Sequence, residues 1–284
     1  MKNNCALIIG IEDYGAYDYD AGNPEGTSDL SWAVNDALTY VRQCLALGMS
    51  PERICVLTSP ALSSSALNAD ADGVRHGPAN HAGILAGLSW LADTLSEDEP
   101  MSGLLVFSGH GEWMHGVEIC PSDTTGALDE IICLDHVRRA LGAHVLDDLH
   151  ILFDACHVHI GCTRDQCLRE RMSRHAACAD VALTDCHEHI LASCQREQSS
   201  AATCLDGKLT SAFTWAITTV LRRCHVIDDH GVLRLDESYA ELLWRAQRLL
   251  RARSIDQAPV LAGPAETAFL RFLQPCARAH SHLS

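Results

Sequence analysis

The chain has 284 residues, 47% hydrophobic and 20% charged, an ordinary balance for a globular protein with a sizeable core. Its formal net charge is −16, from 21 Lys and Arg against 37 Asp and Glu. That excess argues against a nucleic-acid groove, which needs clustered basic side chains, and suits basic partners such as a basic peptide. No apolar run approaches the roughly 18–20 residues of a membrane span, so no membrane partner is expected.

The first residues run directly into Ala6, Leu7, Ile8 and Ile9. This stretch is too short for a signal-peptide core and has no small-residue cleavage site, so a cytoplasmic protein is expected. Residues 6–11 read instead as a strand buried on both faces, as in a parallel sheet. Residues 12–28, rich in Gly, Asp, Tyr and Asn, read as a loop. Leu30, Val34, Leu38, Val41 and Leu45 recur at helical spacing. They predict a helix over 30–47, with Ser28 or Asp29 as N-cap and Gly48 as stop. Residues 53–57 are a second strand, and the polar stretch 59–76 reads as a long surface loop.

Ile84, Leu88, Leu91 and Leu95 mark a second helix over 78–95. A third strand over 103–107 ends in Ser108-Gly109-His110-Gly111. Residues 117–121 and 131–134 read as a small strand pair, and 134–141 as a helix. A fourth strand over 149–153 ends in Asp154-Ala155-Cys156-His157. Residues 157–188 carry arginines, histidines and cysteines without a sustained apolar pattern and read as a linker or insertion. Then come a fifth strand at 189–193, helices over 210–222 and 236–251, a sixth strand at 259–261 and a short helix over 264–272. The alternation predicts one α/β domain spanning 1–284. It is a three-layer sandwich around a central six-stranded, mostly parallel sheet.

In such sheets ligands bind beyond the carboxyl ends of the strands, where His110 and Cys156 both fall. Cysteine attack on a carbonyl needs a thiolate, a proton shuttle and donors for the developing oxyanion. His110 can shuttle the proton. The glycines flanking it let a substrate backbone come close, and the Gly111 and Cys156 N–H groups are candidate oxyanion donors.

Most of the fourteen cysteines, among them Cys44, Cys55, Cys133, Cys194 and Cys224, stand alone in apolar surroundings and read as small buried hydrophobes. The sets His157, His159, Cys162, Cys167 and Cys178, Cys186, His187, His189 are irregularly spaced. Without any Cys-x-x-Cys pair they make a weak case for zinc. A nucleotide-binding reading fares no better, since neither a Gly-x-Gly-x-x-Gly nor a phosphate loop follows the first strand.

The motifs resemble those of the caspase–metacaspase superfamily of cysteine peptidases. The similarity lies in Ala6-Leu7-Ile8-Ile9-Gly10-Ile11, Ala33-Val34-Asn35-Asp36-Ala37, Phe107-Ser108-Gly109-His110-Gly111 and Asp154-Ala155-Cys156-His157. It continues through Leu191-Ala192-Ser193-Cys194-Gln195, Gln198-Ser199-Ser200 and Gln257-Ala258-Pro259-Val260-Leu261. His110 precedes Cys156 by 46 residues, close to the caspase spacing of about 50.

The resemblance implies a caspase–hemoglobinase fold. Residues 1–156 would be a large-subunit-like part, 157–188 a linker and 189–284 a small-subunit-like part. It implies Cys156 as nucleophile, His110 as general base and acid, and Gly111 with Cys156 as oxyanion hole. Asp36 and Asp154 match the acidic S1 residues of metacaspases, with Ser108 at the pocket's edge. Two carboxylates there favour cleavage of proteins or peptides after Arg, then Lys.

Arg164, Arg169, Arg171 and Arg174 are then candidate self-cleavage sites of a zymogen. Activation is expected from calcium, an activating protease or a complex. Asp123, Asp129 and Asp135 are the loosely placed candidates for calcium, and no other cofactor is implied. Roles in programmed cell death and antiviral defence are expectations at family level. The chain departs from the pattern at His157-Val158-His159-Ile160-Gly161 and at Gln195-Arg196-Glu197-Gln198. Two alternatives are a catalytically idle caspase-like module that binds a partner, and an Arg-specific peptidase of the separase-like CHAT type.

Overall fold

The computed structural model describes residues 4–15, 30–62, 71–95, 101–112, 117–125, 130–141, 146–155, 187–195, 198, 200–223, 226–227, 233–234 and 238–263. Strand β1 is Cys5–Ile11, helix α1 Ala33–Ala46, β2 Ile54–Ser59, β3 Arg75–Pro78, α2 His81–Leu95 and β4 Met101–Ser108. Then follow β5 (Gly111–Glu112), β6 (Glu118–Ile119), β7 (Ile132–Cys133), α3 (Leu134–Leu141), β8 (Leu146–Asp154) and β9 (His187–Ala192). The remainder is β10 (Ala202–Leu205), β11 (Lys208–Ser211), α4 (Ala212–Arg223), β12 (Val226–Ile227), β13 (Leu233–Arg234), α5 (Tyr239–Ala252) and β14 (Val260–Ala262).

Seven of these strands form the central sheet, in the order β14-β9-β8-β4-β1-β2-β3. All pair in parallel except β14, which runs antiparallel to β9. The central strands read as unbroken apolar runs because both their faces are covered. Alternate residues divide between two cores. Ala6, Ile8, Leu104, Val106, Leu152 and Leu191 pack with residues of α1, α4 and α5 on one face. Leu7, Ile9, Leu105, Phe107, Ile151 and Phe153 pack with residues of α2 and α3 on the other. Phe107 and Phe153 stack at 5.3 Å between centroids, a contact of about 0.5–1.5 kcal/mol beyond their burial. The result is a three-layer α/β sandwich, as expected.

Several elements differ from the sequence-based expectation. The sheet has seven strands, not six. The additional one, β3, starts in the last two residues of the stretch expected to be loop, reaches the expected start of the second helix, and is mostly exposed, so no apolar periodicity marks it. Helix α1 starts at Ala33 with Trp32 at its N-cap and no side-chain cap there. Glu12 takes that role from outside the helix, its Oε1 accepting the Val34 N–H at 3.2 Å; Ser28 and Asp29 lie outside the described residues. Helix α2 begins at His81 rather than 78, with the Asn80 side chain accepting from Gly83 N–H. The start expected for α4 is the strand β11, half of a hairpin with β10 that the sequence reading missed. The expected strand pair has a third member, β5. Strand β9 begins at His187, so the last two residues of the expected linker belong to the sheet. The helix expected over 264–272 lies outside the described residues.

The chain order also fixes where a site can form. From β1 the sheet grows outward through β2 and β3, then returns to place β4 on the other side of β1. Helix α1 covers one face on the way out and α2 the other on the way back. The crevice beyond the carboxyl ends of β1 and β4 is therefore a topological switch point.

Candidate active site

Register brings the functional motifs to one edge. Gly10 pairs with Ser108, and Ser108 with Asp154, so β1, β4 and β8 end side by side. The backbone beyond Asp154 is pinned from both neighbours. Gly109 N–H donates to the Asp154 carbonyl at 3.1 Å. The Ala155 carbonyl accepts the Ser193 hydroxyl at 3.0 Å. Cys156 follows Ala155 directly in the chain but lies outside the described residues, as do His157 and Arg164, Arg169, Arg171 and Arg174.

His110 stands just past β4 and is buried. Its ring lies 4.7 Å from the Tyr14 ring, tilted by 50°. Its backbone N–H donates to the Tyr14 hydroxyl at 2.5 Å, and its carbonyl accepts from Cys120 N–H at 3.1 Å. Tyr14 itself is fully buried. A Cβ on Gly109 would come within 2.6 Å of the Tyr14 hydroxyl, so glycine permits that approach. Gly111 opens β5, and a Cβ there would lie 2.4 Å from the Glu118 carbonyl.

Asp36 reaches the same place from another element. Gly10 lacks the Cβ that would sit 2.5 Å from the Ala33 carbonyl and 2.7 Å from Ala37 Cβ, so α1 begins hard against β1. Asp36, in the first turn of α1, is completely buried rather than on a solvated helix face. Its Oδ2 accepts from Ser108 Oγ at 3.3 Å, and its Oδ1 from Thr210 Oγ1 at 2.5 Å. Ser211 N–H donates to Asp36 Oδ2 at 3.1 Å. Ser108 is itself buried against Asp36.

Asp154, at the end of β8, is 4% exposed. Its Oδ1 accepts from Ser200 Oγ at 2.7 Å; its Oδ2 accepts from Thr214 Oγ1 at 2.9 Å and from Ser211 Oγ. Ser211 thus bridges the two acids, its N–H to Asp36 and its hydroxyl to Asp154. Burial, and then the Asp154 charge, push the Asp36 carboxyl well above the usual range. Burial raises Asp154 too, against the pull of its hydroxyl donors.

Sequence reasoning named Asp36, Ser108, Asp154, His110 and Gly111, and the fold gathers them at one strand-end crevice. It missed Tyr14, Thr210, Ser211 and Thr214 as site residues. Lone hydroxyls in short segments carry no periodic signal, and only the return of β11 and α4 beneath the acids reveals them. The calcium candidates have other partners where they are described. Asp123 accepts the His81 N–H at 2.7 Å and Asp135 pairs with Arg138 at 3.1 Å, while Asp129 lies outside the described residues. Among the described residues no three His, Cys, Asp or Glu side chains are grouped to hold a metal ion. None of the described helices is long and apolar enough to cross a membrane.

Adjacent ends of the parallel sheet thus carry the buried His110 and Asp154, and Asp36 of α1 meets Asp154 through Ser211. A family model described as the caspase domain matches residues 3–269, and the chain belongs to this family. No curated protein matches the chain.

Proposed function

We propose that the chain is an endopeptidase that uses Cys156 as nucleophile and His110 as general base and acid, and cuts after Arg in preference to Lys. One observation carries this reading: two buried carboxylates, Asp36 and Asp154, share Ser211 beside the strand end that bears His110. In the reaction the Cys156 thiol passes its proton to His110. The thiolate adds to the scissile carbonyl, and the N–H groups of Gly111 and Cys156 hold the oxyanion. Collapse expels the amine, which takes the proton from His110. Water, deprotonated by His110, then hydrolyses the thioester.

The acid pair supplies the specificity. Its oxygens are occupied by the hydroxyls of Ser108, Thr210, Ser200, Ser211 and Thr214. An incoming guanidinium replaces such neutral donors with charged ones, and its planar fork fits carboxylates better than an ammonium does. An acidic side chain would add a third negative charge to the same enclosure. Cleavage after Arg164, Arg169, Arg171 or Arg174 would be self-processing by the same specificity.

The test is a peptide-library profile of wild type, Cys156→Ala and Asp154→Ala, with and without calcium. Wild type should cut after Arg, and Asp154→Ala should lose about a hundredfold or more in kcat/KM on Arg substrates. Preference for an acidic residue before the cut would overturn the pocket, and full activity in Cys156→Ala would overturn the mechanism.

A further inference from the structure

Helices α4 and α5 pack against each other. Their C-terminal halves enclose a pocket of about 290 Å³ lined by Val220, Arg223, Arg245, Arg248, Leu249 and Ala252. Three guanidinium groups around one apolar floor are unexpected on a chain of net charge −16. The surroundings are basic as well: Arg222 adjoins Arg223, and Arg251 and Arg253 follow Arg248, with Glu241 the single acid in α5. Helix C-termini attract cations, but each carries only about half a negative charge, so two termini do not account for six arginines.

Three of these six guanidinium groups are already hydrogen-bonded or ion-paired. Arg245 pairs with Glu241 at 2.8 Å and Arg253 with Asp206 at 3.1 Å. Arg222 donates to the Thr218 carbonyl at 3.1 Å. Among the described residues, Arg223 and Arg248 make no contact with a carboxylate. Arg248 instead lies 4.6 Å from the centroid of Trp244, an exposed ring that holds the guanidinium in place. Among the described residues, positive charge is therefore concentrated and oriented, with no carboxylate on Arg223 or Arg248, at a concave site close to the smallest size of a small-molecule pocket.

We propose that this pocket binds a small phosphate-bearing anion through Arg223 and Arg248, with Arg245 completing the ring. Guanidinium forks match phosphate oxygens in pairs, and Val220, Leu249 and Ala252 keep the floor dry. The site lies at the far end of α4 from Thr214 and Ser211, so it is separate from the acid pair and independent of the peptidase reading.

Isothermal titration calorimetry on the full chain tests it, with tripolyphosphate, ATP and orthophosphate as probes and an acidic peptide and a single-stranded oligonucleotide as separate arms. Tripolyphosphate and ATP should each bind once per chain. Arg223→Ala with Arg248→Ala should weaken both by about tenfold or more, while Arg42→Ala on α1 should bind as wild type does. Tighter binding of ATP than of tripolyphosphate would add stacking on Trp244 to the phosphate contacts; equal binding would assign recognition to phosphate alone. Arg248→Gln, which retains the stem, is the second variant if the double one loses its circular dichroism spectrum. Three results would overturn the proposal: no saturable binding to wild type, equal loss in Arg42→Ala, or binding confined to the peptide or the oligonucleotide.

Discussion

Among the described residues, Asp36 and Asp154 are held by hydroxyls and a backbone N–H rather than by a cation, and that choice has a pH signature. Burial and mutual repulsion raise the Asp36 carboxyl in the folded chain. A raised folded value means the native state holds the proton more tightly than the unfolded chain does. The associated stability is complete below the ordinary Asp value of about 3.9 and is lost as pH rises through the raised value. Asp36→Asn keeps the shape and removes the charge. Its melting temperature should gain on wild type as pH goes from about 5 to about 8, because only wild type develops the second charge. A gap that stays constant or narrows would show that the pair costs nothing at neutral pH. The opposite trend is expected with a ligand. A small guanidinium inhibitor of wild type should bind more tightly as pH rises over the same window and release protons on binding, measurable by calorimetry in buffers of different ionisation enthalpy.

His110 makes a second point at this scale. Its backbone is fixed by Tyr14 and Cys120, so His110→Ala should leave the fold intact and lower kcat by about 10²–10⁴. A loss of cooperative melting in that variant would reveal a structural role instead. The histidine and its glycines were legible in the sequence because the motif ends an apolar strand. Tyr14 was not, because it comes from a polar segment and its partner, His110, lies 96 residues further along the chain.

Among elements, the junction of β1 with α1 does most to position the acids. The absent side chain of Gly10 sets the distance between strand and helix, and Asp36 rides on the first helical turn. Gly10→Ala drives a Cβ into the Ala33 carbonyl and Ala37. It should cost about 1–3 kcal/mol, read as a lower denaturant midpoint, and should lower Arg-substrate turnover by displacing Asp36. Unchanged stability would mean that α1 slides freely. The same scale explains which elements were predictable. The central strands announce themselves because both faces are buried; α5 starts at Tyr239 rather than at 236, capped by Ser238, whose hydroxyl accepts the Glu241 N–H. Strand β3 is mostly exposed and the hairpin of β10 with β11 only partly buried, so backbone pairing rather than apolar pattern defines them.

For the whole molecule, one topological reversal collects residues from α1, β4, β8, β11 and α4 into a single crevice. Residues 189–284 do not merely abut the rest: Ser200, Ser211 and Thr214 complete the acid pair, and Glu188 of β9, just ahead of that part, takes the fork of Arg138 on α3 at 2.7 and 2.6 Å. Cleavage between the two parts would therefore leave them associated. Incubated wild type should give fragments cut after Arg164, Arg169, Arg171 or Arg174 that co-elute on gel filtration, whereas Cys156→Ala should stay intact. Identical cutting of both proteins would assign the cleavage to a contaminant.

The sequence by itself determined the α/β class, six sheet strands and the two strand-end motifs. Strands buried on both faces require unbroken apolar runs, and the motifs that interrupt those runs stand out. Only the tertiary structure decided that Asp36 and Asp154 share one hydroxyl-lined enclosure and that arginines of two helices ring one pocket. Such groupings join residues far apart in the chain through packing and hydrogen bonds that impose no local period.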